Sequence, residues 1–198
     1  MTLAPDQVTE PSRPTSRRRL LRSAVCLAAG AAALTVLPGT SAWAHSGMPD
    51  NRALSFRSLH TGEALKTNYV KGGAFDPLEL AKINWILRDW RSGETARIDP
   101  DLLDQLFALR GRLDSDGTFE IISGYRSPKT NAALAAKNGG VAKRSLHMKG
   151  QAIDVRLADR RLDSLHRAAL ALRAGGVGIY SKSGFIHLDT GRVRNWGR

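Results

Sequence analysis

The strongest constraint on what this chain folds into is an apolar run, Ala24 to Leu37, that is too short to be a membrane span. It has 14 residues, where roughly 20 are needed to cross a bilayer. Ahead of it stands Ser16-Arg17-Arg18-Arg19-Leu20-Leu21-Arg22, and behind it Pro38-Gly39 and then Ala42-Trp43-Ala44, a small-x-small end. A basic start, an apolar middle and a small-residue cleavage site are the order of a signal peptide. Residues 1–44 are therefore set apart from the fold, and the mature chain is expected to begin at His45. The arginine pair followed by Leu20-Leu21 resembles the twin-arginine signal, which exports proteins already folded. An ordinary Sec signal is the alternative.

What remains is residues 45–198, a one-domain length. The single cysteine, Cys26, leaves with the leader. No disulfide framework or cysteine-based zinc site is then available, so a metal would need His and carboxylate ligands. The mature chain carries 25 basic and 16 acidic residues, a net charge of +9, so the basicity belongs to the folded domain. That balance favours an anionic partner. Export to the periplasm or cell envelope argues against nucleic acid and leaves outer polymers, among them peptidoglycan stem peptides with free carboxylates. After cleavage no membrane span is expected, and the oligomeric state is not legible.

Leu54–Leu59 and Ala64–Val70 flank His60-Thr61-Gly62-Glu63, which predicts a hairpin. Asp76-Pro77 and Asp99-Pro100 each supply an N-cap with proline at the first helical position. Leu80, Ile83, Ile86, Leu87 and Trp90 follow the first at helical spacing, up to Ser92-Gly93. Leu102, Leu103, Leu106, Leu109 and Leu113 follow the second. Further on, strands are expected over 119–123, 151–157, 178–180 and 185–189, and helices over 128–137 and 161–173, the latter ending at Gly175-Gly176. The fold class is α+β, with a small, mainly antiparallel sheet and flanking helices. Trp85, Trp90 and Trp196 read as core, with Trp196 the one to test for glycan contact; His45 and His60 read as solvated and His166 as a boundary residue.

The chemistry sits on the second half. Strand alternation puts Ile153, Val155 and Leu157 on one face and Ala152, Asp154 and Arg156 on the other. The same parity sends Ile186 and Leu188 inward and His187 with Asp189 to the opposite face, while His147 lies in the loop entering the first strand. Two His and one Asp make a three-ligand set that leaves a fourth zinc position for water. Taken alone, the His-x6-Asp spacing is equally the mark of a surface His and a capping Asp.

Ser123-Gly124-Tyr125-Arg126-Ser127, Ser145-x-His147-x-x-Gly150-x-Ala152-x-Asp154, Gly175-Gly176-Val177-Gly178 and Phe185-x-His187-x-Asp189-x-Gly191 together resemble the YcbK-type branch of the M15 zinc peptidase clan. That clan includes D-Ala-D-Ala carboxypeptidases, murein endopeptidases and hedgehog signalling domains. The resemblance covers about Leu54 to Trp196. It implies one zinc ion held by His147, Asp154 and His187, hydrolysis of peptidoglycan crosslinks or stem peptides with endopeptidase favoured over carboxypeptidase, and an oxyanion-stabilising role for Arg126. Tyr125 and Ser145, from the same motifs, are expected on the substrate side.

One departure stands out. The relatives place a Glu or a second His just upstream of the last ligand as the base, and this sequence has Gly184 and Phe185 there. Asp189 is the nearest candidate for the base; it is equally placed to orient His187 through the ring's far nitrogen. The rival to a peptidase is a zinc-stabilised cell-wall binding or regulatory module without turnover.

Overall fold

The computed structural model describes residues 47–137 and 141–197. The expected leader, residues 1–44, lies outside them, as does His45. Eight strands form one open sheet in the order β3-β2-β1-β4-β5-β7-β6-β8. Their spans are β1 Arg52–Ser58, β2 Ala64–Lys71, β3 Ala74–Phe75, β4 Phe119–Ser123, β5 Ala152–Leu157, β6 Gly176–Tyr180, β7 Phe185–Asp189 and β8 Arg194–Gly197. Pairing is antiparallel except between β1 and β4 and between β6 and β8. The α+β class with a mainly antiparallel sheet is therefore what the chain adopts. The helices are α1 Pro77–Ile86, α2 Pro100–Arg112, α3 Pro128–Lys137 and α4 Leu162–Leu172. None among the described residues is long and apolar enough to cross a membrane.

Both Asp-Pro devices work as read. Asp76 accepts the N–H groups of Leu78 and Glu79, and Asp99 accepts that of Asp101, with proline opening each helix. Leu102, Leu103, Leu106 and Leu109 of α2 and Leu165 and Ala169 of α4 are buried in one core with Ile153, Val155, Ile186, Leu188 and Val177 of the sheet. That core occupies one face of β5, β7 and β6, which leaves their other face for chemistry.

Four expectations change. Helix α1 stops at Ile86 rather than running past Trp90, because the Leu87 carbonyl accepts the Tyr125 N–H at 2.7 Å and the Arg91 N–H turns to the Asp89 side chain at 3.0 Å. Trp85 and Trp90 are consequently not core: they are 54% and 40% exposed, with the Arg88 and Arg91 guanidinium groups over their rings. His60 is not simply solvated, since it stacks on Trp90 at 4.2 Å and its Nε2 meets the Ile122 carbonyl. Helix α4 closes at Arg173 in the left-handed region, before Gly175-Gly176. Those glycines serve close approach instead, as described below. His166 is half-buried at the edge of the α4 face.

Candidate metal centre and cleft

His187 on β7 and Asp154 on β5 are direct cross-strand partners, and Ala152 and Asp189 form the next pair on the same face. The parity argument thus places Asp154, His187 and Asp189 together. His147 arrives from a single 3-10 turn, Leu146–Lys149, whose N-cap Ser145 accepts the His147 N–H at 3.4 Å. The turn ends at Gly150, in the left-handed region at φ 67°, where a side chain would collide with the Arg97 carbonyl. Hence the glycine three residues after the histidine.

The three side chains are buried, and their facing atoms form a triangle. His147 Nε2 lies 3.2 Å from His187 Nδ1 and 3.3 Å from Asp154 Oδ1, and His187 Nδ1 lies 2.9 Å from the same oxygen. The outer ring nitrogens fix the protons. His147 Nδ1 donates to the Gly124 carbonyl at 2.7 Å, and His187 Nε2 donates to Asp189 Oδ2 at 3.0 Å. In the neutral rings both facing nitrogens then carry bare lone pairs. In that state two imidazole lone pairs and a carboxylate oxygen converge with no hydrogen between them. Such a set demands a cation, and its N, N, O composition within one cluster suits a divalent transition metal.

Where no cation sits among them, the same groups draw protons in its place. Burial on its own raises the Asp154 carboxyl, but the His147 and His187 rings outweigh it and hold the group well below the usual carboxylate range. Burial lowers His187, and its hydrogen bonds to Asp154 and Asp189 more than reverse that.

Asp189 is fully buried under His187. Its Oδ1 accepts the Gly176 and Gly191 N–H groups and Arg194 Nη1, at 3.1, 2.9 and 2.9 Å. Its Oδ2 accepts Arg194 Nη2 at 2.6 Å and His187 Nε2 at 3.0 Å. A carboxylate has about four lone-pair sites, so five donors leave it none to spare. Burial would raise its pKa, yet His187, Arg194 and the Gly191 N–H hold it far down.

Arg126 sits at the opposite side of the triangle. Its backbone N–H binds the His147 carbonyl, and its Nη2 lies 3.6 Å from Asp154 Oδ2. A register shift between Ile121 and Ser123 skips Ile122 and sets Ser123, rather than Ile122, opposite Asp154. Strict alternation would have turned Ser123 to the core; the bulge instead lets its hydroxyl meet Arg126 Nη2 at 3.4 Å. Among the described residues every guanidinium contact is long, and the buried Nε has no hydrogen-bond partner.

Arg126, the triangle and Asp189 line a cleft of about 500 Å³ together with Arg144, Ser145, Tyr180, Phe185, Arg194 and Trp196. Trp196 donates from its indole to the Tyr180 hydroxyl, and Tyr180 stacks on Phe185. Tyr125 is not among the residues lining it: its side chain packs against the hydrophobic core. Arg194 escaped the sequence reading. Its only signal is the two-residue spacing to Trp196, the alternation of a strand too short and polar to announce itself.

A model of M15 peptidases, described as peptidoglycan L,D-endopeptidase MepK, matches residues 46–196. The chain belongs to this family. A relative in Escherichia coli strain K12, named peptidoglycan L,D-endopeptidase MepK, is 44% identical over 181 residues, covering 91% of this chain and 97% of its own. A relative of the same name in Shigella flexneri matches to the same extent. A Haemophilus influenzae relative, named as a probable peptidoglycan L,D-endopeptidase MepK, is 40% identical over 164 residues, covering 82% and 88%. No solved structure matches the chain. The residues of the triangle and its supports all fall within the family match.

Proposed function

We propose that this chain is an exported zinc peptidase that hydrolyses peptide bonds in peptidoglycan crosslinks or stem peptides, in line with relatives named as peptidoglycan L,D-endopeptidases. The observation that carries this is the donor triangle of His147, Asp154 and His187, three converging lone-pair atoms at the floor of an open cleft. Zinc bound there would lower the pKa of a water toward about 7 and polarise the scissile carbonyl.

The chain's own residues supply the rest. Gly124 and Asp189 hold the outer nitrogens of the two imidazoles as N–H, which keeps the inner nitrogens available. Arg126 keeps donors uncommitted beside Asp154, where they can take the negative charge that develops on the carbonyl oxygen during attack. Arg126 and Arg144 give the cleft a cationic lining suited to a peptide with free carboxylates, and Trp196 with Tyr180 walls its other side. Asp189, with no free lone pair, orients His187 rather than taking the proton.

The test is digestion of purified sacculi by the mature chain, residues 45–198, followed by muropeptide analysis. Loss of L,D-crosslinked dimers, abolished by chelator and restored by zinc, is expected. Sacculus binding without soluble products under zinc-replete conditions would instead favour the non-hydrolytic wall-binding module. For export, Arg17→Lys with Arg18→Lys should stop transport if the twin-arginine route is used, and normal transport would return the leader to the Sec route.

A further inference from the structure

We propose that Arg194 is a positioning residue of the metal centre, which acts through Asp189 to fix the nitrogen that His187 presents, so that strand β8 is part of the site. The inference rests on the reading of the triangle as a metal centre. It does not depend on peptidase activity.

The two ligand histidines present different atoms, His147 its Nε2 and His187 its Nδ1. Nothing in a histidine's own side chain decides between them; the hydrogen bond at the other nitrogen does. For His147 that bond goes to a backbone carbonyl, which the Gly124 loop holds in place. For His187 it goes to Asp189, a side chain that must itself be aimed. A carboxylate buried completely is also costly unless it is paired and hydrogen-bonded.

Arg194 meets both needs. Its guanidinium grips Asp189 with two parallel bonds, Nη1 to Oδ1 at 2.9 Å and Nη2 to Oδ2 at 2.6 Å. A fork of this kind fixes the plane of the carboxylate as well as neutralising it. With Oδ1 also tied to the Gly176 and Gly191 N–H groups, Oδ2 is left pointing at His187 Nε2.

The route by which Arg194 gets there is built into β6. In the parallel β6–β8 pairing Arg194 stands beside Gly176 and Trp196 beside Gly178. A Cβ at Gly176 would collide with Arg194 Nη1 and Asp189 Oδ2, and one at Gly178 with the Trp196 indole. The two glycines are slots through which β8 reaches across β6 to β7: Arg194 to Asp189, and Trp196 to the His187 ring at 5.1 Å. The Arg194 guanidinium in turn lies 5.0 Å from the Trp196 ring. Arg194 thus constrains His187 through Asp189 and Trp196 does so against its ring, neither supplying a donor atom to the triangle.

The test compares wild type with Arg194→Gln, Arg194→Lys and Gly176→Ala, and takes Arg192→Gln as a charge control on an exposed side chain. Two quantities are read: zinc affinity against a competing chelator, and the 15N resonances of the His187 ring in metal-free protein at a pH where the ring is neutral. Wild type should show a single Nε2–H tautomer. Arg194→Gln should show a mixture of tautomers and bind zinc roughly 10- to 100-fold more weakly. Gly176→Ala, which keeps the arginine but crowds its contact with Asp189 from both sides, should do the same, and Arg194→Lys should fall between, since it restores charge without the fork. Arg192→Gln should match wild type. A lower melting temperature with unchanged tautomer and affinity in the folded protein would make Arg194 merely structural and overturn the proposal; the Lys variant carries this measurement if the Gln variant does not fold. If wild type binds zinc and digests no sacculi, the peptidase reading falls and the Arg194 proposal is decided separately by the ring tautomer.

Discussion

The Asp89 carboxylate accepts the Ser127 N–H at 2.9 Å, and so ties the segment after α1 to the loop that carries Arg126. The carboxylate is buried, which works to raise its pKa, but the Thr130 and Ser127 hydroxyls and the Ser127 and Arg91 N–H groups outweigh burial and bring it to about 2. A depressed carboxyl stabilises the fold above its unfolded value of about 3.9 and loses that contribution as pH falls through the folded value. Asp89→Asn should therefore cost about 2 kcal/mol near neutrality, with the gap from wild type closing between about pH 4 and pH 2. Urea unfolding of both proteins across that range measures it; a gap that persists at the acid end would mean that the anion is not what stabilises the loop.

Removing any one ligand should end stoichiometric metal binding. His147→Ala, Asp154→Ala and His187→Ala each leave two donors where three converge, and zinc content and sacculus digestion should vanish together. Metal analysis of the purified variants decides it, and full zinc in Asp154→Ala would take that carboxylate out of the set.

Arg126→Ala should keep zinc and lose turnover. Loss of one charge-stabilising donor costs roughly 10²- to 10³-fold in kcat, whereas a purely structural arginine would show chiefly as a fall in melting temperature. Single-turnover cleavage of a soluble crosslinked muropeptide, beside zinc content, separates the two.

Asp189→Asn distinguishes orienting from proton transfer. An orienting Asp189 predicts zinc affinity weakened by roughly 10- to 100-fold, with turnover near wild type once zinc is saturating. A base would give the reverse: zinc retained and turnover down by roughly 10²-fold or more. Five donors on one carboxylate favour the first outcome.

Much of this was legible in the sequence because the informative signals are local. Proline after aspartate announced α1 and α2, and period-two alternation sorted Asp154, His187 and Asp189 from Ile153, Val155, Ile186 and Leu188 before any pairing was known. What escaped depends on contacts between distant segments. The Tyr125 N–H ends α1 by taking the Leu87 carbonyl, and only the strand register shows that Ile122 bulges and turns Ser123 toward Arg126. Gly175 and Gly176 read as a helix stop because glycine commonly is one, whereas here they lie pressed against Asp189. Strand β8 has no apolar alternation at all; its meaning lies in what Gly176 and Gly178 leave empty.

The place of β8 in the sheet also has a consequence for the order in which the enzyme comes into being. Helices α1 and α2 and strands β1 to β5 precede β7 in the chain, whereas β7, which brings His187, is laid between β5 and β6, with β8 added beyond β6. A nascent chain thus holds most of its core before it holds a complete centre. Until Arg194 and Trp196 have been synthesised, the contacts that β8 makes to Asp189 and to the His187 ring are missing. A hydrolase of the cell wall built this way has the last support of its cutting edge made last, after the chain for the rest of the fold has been laid down.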